Sequence, residues 1–189
     1  LNSLPYYGSN GGLMLDKGLS TDKAIFISDK LFYNLEKIIK SENIAGLTVI
    51  TSPFDTFSNN YLEEHFSADF KDFRIGQLTP LPKNHDDLMG VFQNPRPRNI
   101  RKALKSNIKV RTSTLQDDFN FLEETHQENM KGIGGKFKDS TFFNLVRQGK
   151  AKETFKLYIA EHEGQRVAAL LLFYFNVTVE YFTPCTLSE

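Results

Sequence analysis

The sequence predicts an α/β or α+β fold, with mixed sheets flanked by helices in two sequential sub-domains, and three observations carry that prediction. In the second half, apolar residues recur with periods of two and 3.6 in the order strand, helix, helix, strand, strand, strand. In the first half a long amphipathic stretch is followed by β-branched runs. The chain has 189 residues, 40% of them hydrophobic and 24% charged, which is enough for one large domain or two small ones.

Taken from the N-terminus, Leu4 to Leu15 reads as a strand end, a glycine turn at Gly8, Gly11 and Gly12, and an apolar restart; glycines supply the positive φ that a tight turn demands. From Ser20 or Thr21, Ile27, Leu31, Leu35, Ile38 and Ile39 recur at helical spacing as far as Asn43. Strands are expected at 47–51, ending at Ser52-Pro53, and at 69–79, ending before Pro80 and Pro82, with a short helix at 58–66 between them. Asn94 as N-cap, Pro95 at the first helical position and Asn107 as a left-handed terminator predict a helix over 95–106. A strand at 109–114 follows. Gln116 to Met130 is a helix with Phe119, Leu122, Thr125 and His126 on one face; Gly132, Gly134 and Gly135 end it, and Ser140 caps the next, which carries Phe142, Phe143, Leu145 and Val146 as far as Gly149. Phe155 to His162, Glu163-Gly164 and Gln165 to Phe175 form a hairpin signal, and Val177 to Cys185 a last strand.

The helix at 95–106 is the stretch richest in chemistry. Arg96, Arg98, Arg101, Lys102, Lys105, Lys109 and Arg111 fall within sixteen residues, uninterrupted by any acid, in a chain whose 23 Lys and Arg balance 23 Asp and Glu. Attraction to a polyanion must therefore come from this local patch and not from net charge. Arg98, Arg101, Lys102 and Lys105 share one helical face, while Ile100, Ala103 and Leu104 give the other side something to dock with. A phosphate-bearing substrate fits the cationic face, with arginines making bidentate contacts and lysines supplying point charge. A solvated face paired with nearby carboxylates is the plainer alternative, with Asp69, Asp72, Asp86 and Asp87 as candidates to neutralise it or to cap turns.

Other classes of site are poorly represented. The four histidines are scattered without metal-ligand spacing, so no metal is expected; His126, near Glu123 and Glu124, is the one to test as a base. Cys185 is the only cysteine, which excludes an internal disulfide and fits a reducing compartment; its position late in a strand reads as a small buried residue. A cytoplasmic location is expected, with the inner face of the membrane as its finer form. The longest apolar run, Val167 to Phe175, is too short to span a bilayer. Lys131-Gly-Ile-Gly-Gly-Lys136 follows a helix and lacks the P-loop spacing, so it reads as an interhelical loop. Asn176-Val-Thr178 matches a glycosylation acceptor by letters only. The chain starts without methionine and stops directly after a strand-like segment, which reads as a fragment.

Three segments resemble the peptidoglycan-bridge aminoacyltransferases of the FemABX family, which have the wider GNAT acyltransferase fold. They are Ser3-Leu-Pro-Tyr-Tyr-Gly-Ser-Asn-Gly-Gly12, Arg98-Asn-Ile-Arg-Lys-Ala-Leu-Lys-Ser-Asn-Ile-Lys-Val110, and the hairpin from Leu157 to Leu172. The resemblance implies parts of two tandem GNAT-like lobes, residues 1–94 and 95–189, joined near Pro80 to Pro97. It implies transfer of an aminoacyl or acyl group to an amine of a cell-wall or polysaccharide precursor. Arg98, Arg101, Lys102 and Lys105 would hold phosphate, and Tyr7, Ser9 and Asn10 would line the acceptor site. An amine would attack an acyl ester, and backbone amides on the strand that Val179 to Cys185 resembles would stabilise the oxyanion, with no nucleophilic side chain. No bound cofactor is implied; aminoacyl-tRNA or acetyl-coenzyme A would be the donor, and tRNA and the phosphate-bearing precursor the partners. An acetyl-coenzyme A dependent N-acetyltransferase is the second expectation and a non-catalytic RNA-binding module the third.

Overall fold

The computed structural model describes residues 1, 10–73, 75–149, 154–175 and 177–187. They form two compact units, Leu1–Thr79 and Pro80–Glu189. The sequence set the boundary between sub-domains at 94/95.

The first unit is built on α1 (Thr21–Ser41) and α2 (Thr56–His65). The helix α1 starts where the sequence predicts and stops just before Asn43, whose φ is +50°. Its buried face is not the expected one. Ala24, Ser28 and Phe32 are buried, while Leu31 and Ile38 are 51% and 50% exposed. An aromatic cluster sets the face: the Phe32 ring lies 4.4 Å from that of Phe66 and 5.9 Å from that of Tyr61, and the Tyr61 hydroxyl donates to Asp29 Oδ1 at 2.6 Å. Burial and the adjacent Asp29 carboxylate push the Tyr61 hydroxyl up to about 12. Asp55 caps α2, accepting from the Ser58 N–H at 3.1 Å and the Ser58 hydroxyl at 2.6 Å.

Neither strand expected in this unit forms among the described residues. Around 47–51 the backbone makes isolated bonds, Thr48 N–H to the Leu1 carbonyl at 2.9 Å and Gly11 N–H to the Ile50 carbonyl at 2.7 Å. Within 69–79, Phe70, Phe73 and Ile75 are 80%, 83% and 100% exposed. A β-prone run becomes a strand only when a partner takes its N–H and C=O groups, and among the described residues neither run forms one.

The second unit opens with a 3-10 turn, His85–Asp87, and the single-turn helix α3 (Leu88–Val91), then α4 (Arg96–Lys105). There follow β1 (Lys109–Ser113), α5 (Gln116–Gly132), α6 (Ser140–Gln148), β2 (Phe155–His162), β3 (Gln165–Phe175) and β4 (Thr178–Thr186), in the predicted order. The strands form a sheet of order β1-β2-β3-β4, and every pairing in it is antiparallel, so this sheet is not mixed. β2, β3 and β4 follow one another without a crossover of the kind a parallel pair requires. Glu163 and Gly164, both at positive φ (+51° and +81°), make the two-residue turn between β2 and β3.

Alternation along the strands builds the core. Phe155, Leu157 and Ile159 of β2 stand opposite Phe173, Leu171 and Ala169 of β3, and Cys185 of β4 continues the row. Phe119 and Leu122 of α5 and Phe142 and Phe143 of α6 complete the same cluster. The expected face of α5 is the buried one. On α6, Phe142 and Phe143 are buried but Leu145 is 59% exposed. The cap of α6 is Asp139, which accepts from the Phe142 N–H at 3.0 Å; Ser140, the expected cap, donates instead to Glu123. Leu157 and Leu171 face each other with no exposed surface, so Leu157→Ala should cost about 3–5 kcal/mol through transfer and cavity terms. Urea denaturation monitored by far-UV circular dichroism checks it; a loss below about 1 kcal/mol would mean that this core is not packed as described.

Two irregularities shape β3 and β4. The register passes from Ala160↔Ala168 to Glu161↔Arg166, leaving Val167 as an extra residue on β3, and from Leu171↔Thr183 to Leu172↔Tyr181, leaving Phe182 as an extra residue on β4. Such bulges interrupt the ladder and re-aim the strand.

Candidate functional site

The helix α4 carries the candidate site. It begins one residue later than expected, with Pro95 rather than Asn94 as the flanking residue and no side-chain cap. It ends as predicted, with Asn107 at φ +55° turning the chain into β1. Arg98, Arg101, Lys102 and Lys105 are all exposed and none forms an ion pair with a described residue. At 1.5 Å rise per residue, the set runs about 10 Å along the helix. Of the carboxylates expected to neutralise it, Asp72 accepts from the Phe73 N–H at 2.8 Å within the first unit, and Asp86 and Asp87, in the same unit as α4, form no ion pair with a described residue. The expected docking side is only half-formed, since Ile100 and Ala103 are half-buried while Leu104 is 71% exposed and α4 has no buried residue. An open row of cations of this kind can bind anions along its length and has no built-in counter-charge.

Arg111, the last basic residue of the run, does something different. It donates from Nη1 to Asp118 Oδ2 at 2.6 Å, from Nη2 to Asp118 Oδ1 at 3.0 Å, and from Nε to Glu161 Oε1 at 2.9 Å. Arg166 donates from Nη1 to the same carboxylate, sharing Asp118 Oδ1 with Arg111 at 3.1 Å, and to the Asp117 carbonyl at 2.7 Å; the Ser113 hydroxyl also donates to Asp118. Asp118 is 2% exposed. The Arg111 hydrogen bonds, aided by Ser113 and the charges of Arg111 and Arg166, hold its carboxyl at about 2, against the effect of burial. The same bonds raise the Arg111 guanidinium above its ordinary value. This cluster ties β1, α5, β2 and β3 together, and Arg111 is thereby withdrawn from the anion-binding set.

A second arrangement lies along the outer edge of β4. The Thr186 N–H donates to Asn129 Oδ1 at 2.9 Å, and Asn129 Nδ2 donates to the Thr186 carbonyl at 2.8 Å. Pro184 has no N–H to leave open, and its carbonyl lies where it favours the charged form of the His126 ring. Thus Asn129 of α5 covers this part of the edge at Thr186. His126 also accepts at Nε2 from the Lys138 N–H at 3.4 Å, and it is 5% exposed. Burial, and secondarily the Lys138 charge, lower its pKa below 6.5. The residue singled out as a base is held in the core by backbone groups and does not reach a substrate surface.

The remaining sequence candidates resolve as follows. Tyr7 and Ser9 lie outside the described residues; Asn10 is exposed in the first unit, and Gly12 has the positive φ (+91°) its turn requires. Cys185 is buried, and desolvation pushes its thiol up to about 11, so it is no thiolate nucleophile. The glycines at 132–135 are explained by helix termination: Gly134 has φ +68° and the Gly135 N–H bonds the Met130 carbonyl at 2.8 Å. His65 stacks on Tyr61 and its Nδ1 bonds the Tyr61 carbonyl at 2.9 Å. No His, Cys, Asp and Glu group suited to a metal occurs among the described residues, and none of their helices is long and apolar enough to cross a membrane.

The chain matches no protein-family model and no curated protein sequence.

Proposed function

We propose that this chain is part of a GNAT-type acyltransferase, akin to the FemABX aminoacyltransferases, that moves an aminoacyl or acyl group to an amine of a cell-wall or polysaccharide precursor. The observation that carries the reading is the second unit's succession of strand, two helices and an antiparallel three-strand meander whose last strand is bulged at Phe182. A bulge leaves a residue outside the ladder, and the N–H groups of such a strand are suited to a developing oxyanion.

The chemistry requires little of side chains. The acceptor amine attacks the acyl carbonyl, a C–N bond forms, the ester C–O bond breaks, and the amine proton leaves with the alcohol or to water. Positioning then dominates. On this reading Arg98, Arg101, Lys102 and Lys105 hold the phosphates of donor or precursor, their exposure and the lack of a carboxylate partner among the described residues leaving them available. Tyr7, Ser9 and Asn10 line the acceptor site. The reaction needs no resident cofactor, and its setting is the cytoplasm, at the inner face of the membrane when the precursor is lipid-linked. A coenzyme A thioester as donor is the second reading, favoured by the same bulged strand.

Equilibrium titrations of the chain with aminoacyl-tRNA and with acetyl-coenzyme A, at low and moderate salt, test the proposal, followed by transfer of labelled acyl group to a nucleotide-linked amine. Salt-sensitive tRNA binding with transfer supports the aminoacyltransferase, and selective coenzyme A binding with transfer the acetyltransferase. Binding of RNA without transfer would leave an RNA-binding module in its place, and binding of neither donor would remove the reading.

A further inference from the structure

The connection between α5 and α6, residues 133–139, joins two core helices yet exposes Ile133 by 77%. It is anchored at its start by the closing bonds of α5 and at its end by Asp139 capping α6. Directly before that cap, the Lys138 N–H donates to His126 Nε2, and the Lys138 ammonium stands 4.8 Å from the centre of the Phe182 ring. Because Nε2 accepts this bond, the ring must be neutral and carry its proton on Nδ1.

We propose that His126 is a pH-operated latch, closed while neutral, which fastens the end of the α5–α6 connection to α5 and releases it on protonation. In the imidazolium both nitrogens carry hydrogen, so Nε2 would point a donor at the Lys138 N–H and the bond is lost. The surroundings give the new charge little relief, the Pro184 carbonyl alone favouring it against burial and Lys138. The connection presents the Lys138 ammonium, which repels it, and α6 presents the uncharged edge of Phe143, with ring centres 6.2 Å apart. β4 presents the Pro184 carbonyl and the buried Cys185, whose thiol stays protonated. On α5 itself, Glu123 is engaged by the Ser140 hydroxyl. Burial and Lys138 keep the ring neutral at physiological pH, so the latch opens only on the acid side of ordinary histidine titration. Opening lets the ring regain water, and it frees Lys138 and the bulge residue Phe182 from each other. The inference stands apart from the acyltransferase reading.

Amide hydrogen exchange by NMR, corrected for intrinsic pH dependence, tests this together with the titration of the His126 ring. Protection of the Lys138 amide should fall about tenfold for each pH unit below the ring's apparent pKa. The Thr186 amide, held by Asn129, and the Leu157 amide in the core should keep theirs. In His126→Gln, a neutral side chain, the acid-dependent step at Lys138 should vanish; if that variant fails to fold, the comparison of the three amides in the unaltered chain decides alone. Lys138 protection that ignores His126 protonation would overturn the latch. So would simultaneous loss at Lys138, Thr186 and Leu157, which would mark global unfolding.

Discussion

Asp118→Ala should destabilise the second unit by about 3 kcal/mol, the low end of what breaking a buried ion pair costs. The carboxylate is 2% exposed and is shared by Arg111 and Arg166, with the Ser113 hydroxyl as a further donor. Removing it leaves two guanidinium groups with one remaining carboxylate, Glu161, which reaches only Arg111. Both arginines are over a third exposed, 38% and 37%, so water recovers part of the loss, which is why the low end is expected. The acid limb of the stability curve provides an independent check. The folded carboxyl is held at about 2, below its ordinary 3.8, so its contribution is complete above about pH 4 and is lost as pH falls through about 2. That contribution is about 2 kcal/mol by linkage. In Asp118→Asn the decline between pH 4 and 2 should flatten by that amount. Urea midpoints across this range make the measurement, and an unchanged acid limb would show that the cluster carries no net stability.

Replacing Arg98, Arg101, Lys102 and Lys105 together by alanine should lower affinity for a polyanionic substrate about 100- to 1,000-fold near 0.1 M salt, and should reduce the slope of log K against log salt by about 3. Alanine is the strongest helix former, and none of the four is paired with a carboxylate among the described residues, so α4 and the fold should persist. Far-UV circular dichroism verifies that part. Lysine at positions 98 and 101 separates charge from geometry: the salt slope should be kept, while any affinity owed to bidentate arginine contacts is lost. Arg111→Ala should behave in the opposite way, lowering stability and leaving the salt slope near its original value. Equal binding by the fourfold variant and the original chain would remove α4 from the site.

The same contrast shows where sequence reading succeeds. The cationic face of α4 was legible because residues three, four and seven apart in a helix must share a face, a rule that involves only neighbours. Arg111 was grouped with it for the same reason, by proximity along the chain. What separates it is the β1 register, which sets Arg111 opposite Ile159 and within reach of Asp118 and Glu161. Asp118 itself was unreadable. As one of two acids in the first turn of α5 it has the ordinary look of a charge placed against a helix dipole, and nothing local distinguishes it from Asp117. Likewise, His126 on an apolar face read first as a structural residue and only second as a base to test, and the bond it accepts from the Lys138 N–H, with 5% exposure, places it in the core.

Local pattern therefore determined a great deal by itself: the helices and strands of the second unit from α4 onward in their order, the inward face of α5, the Glu163-Gly164 turn, and an uninterrupted basic helix. Each follows from backbone periodicity or from a residue's own conformational preference. The tertiary structure alone decided which apolar runs became strands, since 47–51 and 69–79 have strand composition and form no strand among the described residues. It decided that Phe32 rather than Leu31 faces inward on α1, because Tyr61 and Phe66 are there to receive it. It also decided which charges are bound and which are open, because pairing depends on groups some fifty residues apart in the chain, as Arg111 and Glu161 are, being brought within 3 Å.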